Sequence, residues 1–384
     1  MNIRLFKPSV GREELENLKK VFDRAWLGNG PTVLEFENAW SKYIGSGISV
    51  GVNSATAALH LALTAFHFPE GKKVLVPAIT FASTATAVLY NRLIPVFVDV
   101  DPETVSMDLD DLQRKYDKDC VAVMSVHNGG YPVPMDKMME IANTLNLKVI
   151  EDCAHCAGGV FKGRKLGTWG HIGCFSFEEK KCMTTGDGGM ICSEDVDLIE
   201  PLRAYRWVGI DKDTWRRVEA NKGLTENKAL HWHYEISVLG YKYNMNDIAA
   251  AIGLAQLAKL DAMNEKRANI ISEYLDGIDN IKSIKPIFPY KKGYGAYWYF
   301  GIRSDKRDNL IVFLKDRGIS TGVHFYPLTL QPLFRQYAYG CDVAEKIWTE
   351  FVTLPSYVDI EKHEIRYIID ALADFSDRKT SHTI

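Results

Sequence analysis

Between residues 47 and 193 short apolar runs alternate with helical stretches, and this alternation restricts the chain more than any other feature. Ile48–Val52, Lys73–Pro77, Ile94–Val98, Val121–Val126 and Lys148–Ile150 read as strands. Ala55–Phe66, Ala82–Tyr90 and Met135–Leu145 read as helices between them. Strands that are apolar throughout must be covered on both faces, and a helix between successive strands makes a parallel crossover. The expected class is α/β, with a large domain whose mostly parallel sheet is flanked by helices. Ligands of such sheets sit at the carboxyl ends of the strands, so the residues following each strand are the ones to inspect.

At 384 residues the chain exceeds one compact core, and a second unit is expected. A long helical pattern, Asp247–Leu275, leads away from the sheet. Pro286 and Pro289 then break regularity, a β-like run covers Ala296–Arg303, and a helix is expected over Asn309–Arg317. These elements suggest a large domain over 1–254 and a smaller C-terminal α+β domain over 255–384, with a frayed polar tail from Ser376. The net charge of −3 provides no basic excess for nucleic acid or an acidic membrane. No apolar run reaches the length of a membrane span, and Met1–Pro8 lacks the pattern of a secretory leader. The seven cysteines therefore read as reduced, mostly buried thiols of a cytoplasmic protein.

Four strand-end sites carry chemistry. Ser54-Ala55-Thr56 opens a helix where small residues let backbone N–H groups meet an anion, although an ordinary N-cap explains it better taken alone. Asp152, with Glu151, follows a strand and could pair with a protonated ring nitrogen; a capping or metal-binding role fits its position equally. Ser176 precedes Lys181 by five residues, and Thr184-Thr185-Gly186-Asp187-Gly188-Gly189 follows. A lysine joined covalently to a cofactor aldehyde, with a hydroxyl near the cofactor's phosphate, would suit that spacing. A surface lysine beside a turn suits it slightly better, and Lys180 competes with Lys181. Phe81 could stack on a flat ring, though a lone aromatic is more often core.

Two patterns carry less. Cys153-Ala-His-Cys156 fits C-x-x-C, but no second pair stands at zinc-finger spacing and the helix-start context of a redox motif is missing, so packing is expected. Gly167-x-x-Gly170-x-x-Gly173 is not the dinucleotide fingerprint.

Together these segments resemble the DegT/DnrJ/EryC1/StrS sugar aminotransferases, fold type I pyridoxal-phosphate enzymes. The resemblance runs from Leu27-Gly28-Asn29-Gly30-Pro31 to about Gln331-Pro332-Leu333-Phe334. It rests on the order of Thr56–Leu63, Pro95–Val100, Glu151–His155, Gly173–Phe177, Thr184–Met190 and Gly240–Asp247. It implies that Lys181, not Lys180, carries pyridoxal 5'-phosphate and that Asp152 pairs with the pyridine nitrogen. It places His155 beside the ring's phenolic oxygen and Phe81 on the ring face, with Ser176, Ala55 and Thr56 at the phosphate. His324 lies where the family contacts its sugar nucleotide. Asn244 belongs to the segment that reaches the partner subunit's phosphate site, implying a homodimer with shared sites. Many relatives have Asn at the position of Lys242 and Arg at that of Asn244. Lys181 also sets the chain apart from relatives that carry His there and act as dehydratases.

The implied reaction is transamination of a keto group on a nucleotide-linked sugar, with L-glutamate as donor, for surface polysaccharide or secondary metabolite synthesis. Rival readings are an aminotransferase for a phosphorylated ketone or cyclitol, a silent sensor on the same fold, and a zinc or redox protein built on Cys153 and Cys156.

Overall fold

A computed structural model describes residues 2–210, 234–288, 290 and 293–377; Pro289 and the tail from residue 378 lie outside the described residues. Counting the strands of the two main sheets, β1 (Ile48–Val52), β2 (Lys73–Pro77), β3 (Ile94–Val98), β4 (Cys120–Val126), β5 (Lys148–Asp152), β6 (Ile172–Ser176) and β7 (Gly189–Ser193) form one seven-stranded sheet. Its order is β1-β7-β6-β5-β4-β2-β3. Neighbours from β6 through to β3 pair parallel, and β7 alone runs antiparallel to both of its neighbours. The mostly parallel sheet expected from the alternation is thus present, with β7 the return strand after the glycine-rich turn.

The helices between strands form for local reasons. Ala55–Thr64 is built from strong helix formers, and the Ser54 hydroxyl accepts from the Ala57 N–H at 3.2 Å. The long helix runs Asp247–Ile278, capped by the Asn246 side chain on the Ala249 N–H at 2.8 Å. Its buried first residue, Asp247, accepts from the Thr32 and Val33 N–H groups at 3.2 and 3.1 Å. One carboxylate therefore satisfies the orphan donors of the neighbouring helix Pro31–Ile44 and welds the two together. At Gly253 a Cβ would come 2.7 Å from the Phe36 ring, so this crossing requires glycine.

Beyond the long helix, β8 (Lys285–Pro286), β9 (Phe300–Arg303) and β10 (Phe351–Leu354) form an antiparallel three-stranded sheet in the order β8-β9-β10. The division placed at 254/255 falls inside the continuous helix Asp247–Ile278. The amino terminus also joins the C-terminal part: the Ile3 N–H donates to Gly318 O at 2.8 Å and its carbonyl accepts from Ser320 N at 2.9 Å.

Two expected elements shift. Glu151 and Asp152 end β5 rather than follow it, because both are buried in the parallel ladder with β4 and β6. The β-like run narrows to Phe300–Arg303. Ala296 and Trp298 instead donate to Gly130 O and Gly129 O at 3.0 and 2.8 Å, which holds that segment against the loop after β4. The helices Arg12–Arg24, Pro31–Ile44 and Lys362–Asp377 were not anticipated.

Candidate active site

Parallel pairing brings several strand ends to one side of the sheet, and a cavity of about 750 Å³ opens there. Ser54, Ala55, Thr56, Thr80, Phe81, Asp152, His155, Ser176, Lys181 and His324 all line it. Nine of these ten, all but Thr80, were singled out in the sequence and meet in one place, while Asn244 does not line the cavity of its own chain. Its carboxamide oxygen accepts from Lys242 Nζ at 2.6 Å, and its backbone bridges Val52 at the end of β1.

Asp152 is buried at the end of β5. Thr84 donates to its Oδ2 at 2.8 Å and the Ala154 N–H to its Oδ1 at 3.1 Å. Burial raises its carboxyl above the ordinary range, and these two donors with the Lys181 charge only partly oppose that. A carboxylate so placed gains from any cation that enters beside it. Lys181 has the opposite character: burial pushes its amine down to about 8, against the attraction of Glu178 and Asp152. Its Nζ lies 3.8 Å from the centre of the Trp298 ring. Lys180, by contrast, is half-exposed, with Nζ 4.0 Å from Glu178 Oε1.

His155 is buried and stacks on Trp298 with ring centres 4.0 Å apart. Burial, aided by the charge on Lys181, holds its pKa well below the usual histidine value, so the ring is neutral. Its Nδ1 has no hydrogen-bond partner among the described residues. A buried, unpartnered ring nitrogen in a cavity wall fits a polar group supplied by a ligand. His324 is held down to about 4 by burial and the lysine charges, with Nδ1 2.8 Å from the Thr353 hydroxyl.

The phosphate end of a cofactor would meet the first turn of Ala55–Thr64, whose free N–H groups and dipole favour an anion. Gly188 and Gly189 make the close approach possible: a Cβ on Gly189 would lie 2.5 Å from the Ser54 carbonyl carbon. Ser176 ends β6 beside them, and Phe81, largely exposed at 58%, stands over the opening. Phosphate cradle, buried carboxylate, depressed amine and unpartnered imidazole together fit pyridoxal phosphate.

Thr84, Trp298, Arg4 and Phe6 escaped the sequence reading. Thr84 lies mid-pattern in a helix, and Trp298 lies in a run that looks like strand. The amino-terminal residues carry no motif at all.

His127, Cys153 and Cys156 bring their ligand atoms within 4.8 Å of one another, all buried. However, His127 Nδ1 accepts from the Val133 N–H at 3.2 Å and Nε2 lies 3.1 Å from Glu151 Oε2. Both ring nitrogens are therefore engaged, and burial raises both thiols above the usual range. Glu151 also accepts from the Gly167 and Gly170 N–H groups at 2.9 and 2.7 Å. The C-x-x-C cluster is thus a packed buttress behind β5 rather than a zinc or redox centre.

This fold and cavity define an enzyme that works through a covalently held pyridoxal cofactor. Comparison with known proteins agrees. The chain belongs to the DegT/DnrJ/EryC1/StrS aminotransferase family, whose model matches residues 8–373, and is a pyridoxal-phosphate-dependent aminotransferase. It is 31% identical to GDP-perosamine synthase of Escherichia coli O157:H7, covering 98% of this chain and 99% of that one. It is 32% identical to the spore coat polysaccharide biosynthesis protein SpsC of Bacillus subtilis (strain 168), covering 96% and 95%. The crystal structure of the sugar aminotransferase CalS13 from Micromonospora echinospora superposes with a TM-score of 0.87 at 28% identity, covering 97% of this chain and 99% of that one. No helix among the described residues is long and apolar enough to cross a membrane.

Proposed function

We propose that the protein transfers an amino group from L-glutamate to the keto carbon of a nucleotide-linked sugar, for polysaccharide or secondary metabolite synthesis. The observation that carries this reading is the buried Asp152 carboxylate facing the same cavity as the Lys181 amine. The relatives named above, a GDP-perosamine synthase and a sugar aminotransferase, support the acceptor class.

Pyridoxal phosphate, when bound, supplies an electron sink for charge that develops on the substrate carbon. Lys181 Nζ would hold the cofactor covalently. Once displaced, its amine would take the proton from the donor's α-carbon, and burial, which lowers the amine from its ordinary value, favours the uncharged form that a base needs. Asp152 would pair with the ring nitrogen and keep it protonated. His155 directs a neutral ring nitrogen to the phenolic oxygen, and Phe81 covers the ring. Ser176 and the N–H groups of Ala55 and Thr56 hold the phosphate, completed by Asn244 of a second subunit in a homodimer. His324 contacts the sugar. The donor leaves as 2-oxoglutarate; in the second half-reaction Lys181 would return a proton to the acceptor carbon, whose keto oxygen leaves as water, so that the keto sugar departs as an amino sugar.

The test is a panel of keto sugar nucleotides incubated with holoenzyme and ¹⁵N-glutamate. Mass spectrometry should find the label on one of them. Label on a phosphorylated ketone or cyclitol instead would overturn the acceptor assignment.

A further inference from the structure

Arg4, Leu5 and Phe6 build one wall of the cavity. Ile3 is fully buried and sewn by two backbone hydrogen bonds to Gly318 and Ser320. Phe6 stacks on Trp298, with ring centres 5.1 Å apart and planes 9° from parallel, and meets His324 edge-on at 5.7 Å. Arg4, between these two anchors, is exposed and lines the cavity. It has no hydrogen bond or ion pair to any of the described residues.

Trp298 joins this wall to the catalytic lysine's neighbour. Its indole N–H donates to the Lys180 carbonyl at 2.6 Å, and the Lys180 N–H donates to Glu178 Oε2 at 3.1 Å. The Lys180 backbone is thereby fixed, while its ammonium sits at the outer limit of an ion pair with Glu178. Arg4, Lys180 and Lys181 are the cationic side chains lining the cavity among the described residues. Lys181 belongs to the chemistry. A dicarboxylate donor and a diphosphate-bearing acceptor must nevertheless both present their anionic ends in the one cavity, at different times.

We infer that Arg4 and Lys180, held in register by the Phe6–Trp298 stack, form a single anion clamp used twice per cycle. It would receive the distal carboxylate of the donor in the first half-reaction and the diphosphate of the acceptor in the second. This rests on the reaction proposed above. Guanidinium and ammonium groups both accommodate carboxylate and phosphate oxygens, and alternation makes one pair sufficient.

The test uses the holoenzyme at low ionic strength, with glutarate as the dicarboxylate probe and inorganic pyrophosphate as the diphosphate probe, each followed by calorimetric titration. Saturating either ligand should abolish binding of the other. Arg4→Gln and Lys180→Gln should each weaken both ligands by about tenfold or more, the loss of one charge-assisted contact. Lys19→Gln, on the exposed face of the first helix, should leave both affinities as they are. Simultaneous binding of the two ligands, or a variant that weakens only one, would overturn the shared clamp. Unchanged affinities in both variants would overturn it too, while leaving the proposed reaction standing. Wild-type enzyme that binds glutarate but not pyrophosphate would overturn the clamp's second use, whereas the acceptor itself is decided by the labelled-glutamate panel.

Discussion

Replacing Asp152 with Asn separates two effects that activity alone confounds. Thr84 and the Ala154 N–H already bracket this carboxylate at 2.8 and 3.1 Å. The amide is isosteric, its oxygen can keep one of these contacts, and its NH₂ can donate to the Thr84 hydroxyl. The fold should therefore survive. Burial raises the Asp152 carboxyl, so without cofactor the ionised form is a cost to the folded state. The cofactor-free Asp152→Asn variant should melt at or above the wild-type temperature at neutral pH. With cofactor the sign reverses. A carboxylate beside a protonated ring nitrogen raises that nitrogen's pKa by about 1–3 units, each worth about 1.4 kcal/mol. Removing it lowers the protonated fraction by roughly 10- to 1,000-fold once the nitrogen titrates below working pH. The half-reaction with glutamate, followed by stopped-flow loss of the visible cofactor band, should slow by about a hundredfold, the middle of that range. Cofactor should remain bound through Lys181 and the phosphate contacts. A variant within about threefold of wild type, with cofactor retained, would refute the role argued for this residue.

Thr84→Val removes the hydroxyl donor to Asp152 without changing volume, so Thr84 acts as a positioning residue. Turnover should fall about tenfold, for one lost hydrogen bond to a charged group, with KM little changed and Thr84→Ser restoring most of it. Because burial holds the Lys181 amine near 8 rather than 10.5, cofactor uptake by apoenzyme should accelerate from pH 6 to about 8 and then level. An inflection near 10.5 in the visible-band growth would contradict this. The unfolded chain binds that proton more tightly between about 8 and 10.5, so this group's contribution to apoenzyme stability rises with pH across the window. Asn244→Ala should weaken cofactor binding and loosen the dimer, as judged by gel filtration against dilution, with Lys242→Ala as control for the neighbouring position. A stable monomer with undiminished cofactor affinity would exclude a shared site.

The parallel sheet was legible because its strands are apolar on both faces and its crossovers are rich in Ala and Leu, so pattern and tertiary environment agree. Ser54–Thr56, Asp152, Ser176 and Lys181 could be named as candidates because strand ends in such sheets converge on one edge, and all of them line the one cavity. Three kinds of feature stayed hidden. Trp298 lies in Ala296–Arg303, whose composition suits a strand, yet its first half is held to Gly129 and Gly130 by tertiary hydrogen bonds. Thr84 is an unremarkable helix residue until β5 places Asp152 beside it. Arg4 and Phe6 sit far in sequence from Lys180 and Trp298, and only the pairing of Ile3 with the 318–320 segment brings them together. The choice between Lys180 and Lys181, open on spacing alone, now has a physical basis: one ammonium is half-exposed beside Glu178, the other is desolvated over Trp298.

That choice is the claim on which the chemistry depends. Borohydride reduction of the purified holoenzyme, followed by proteolysis and mass spectrometry, should place a pyridoxyl group on Lys181 in stoichiometric yield, and Lys181→Ala should abolish the modification. A pyridoxyl group found on Lys180, or none on the peptide that carries both lysines, would contradict it.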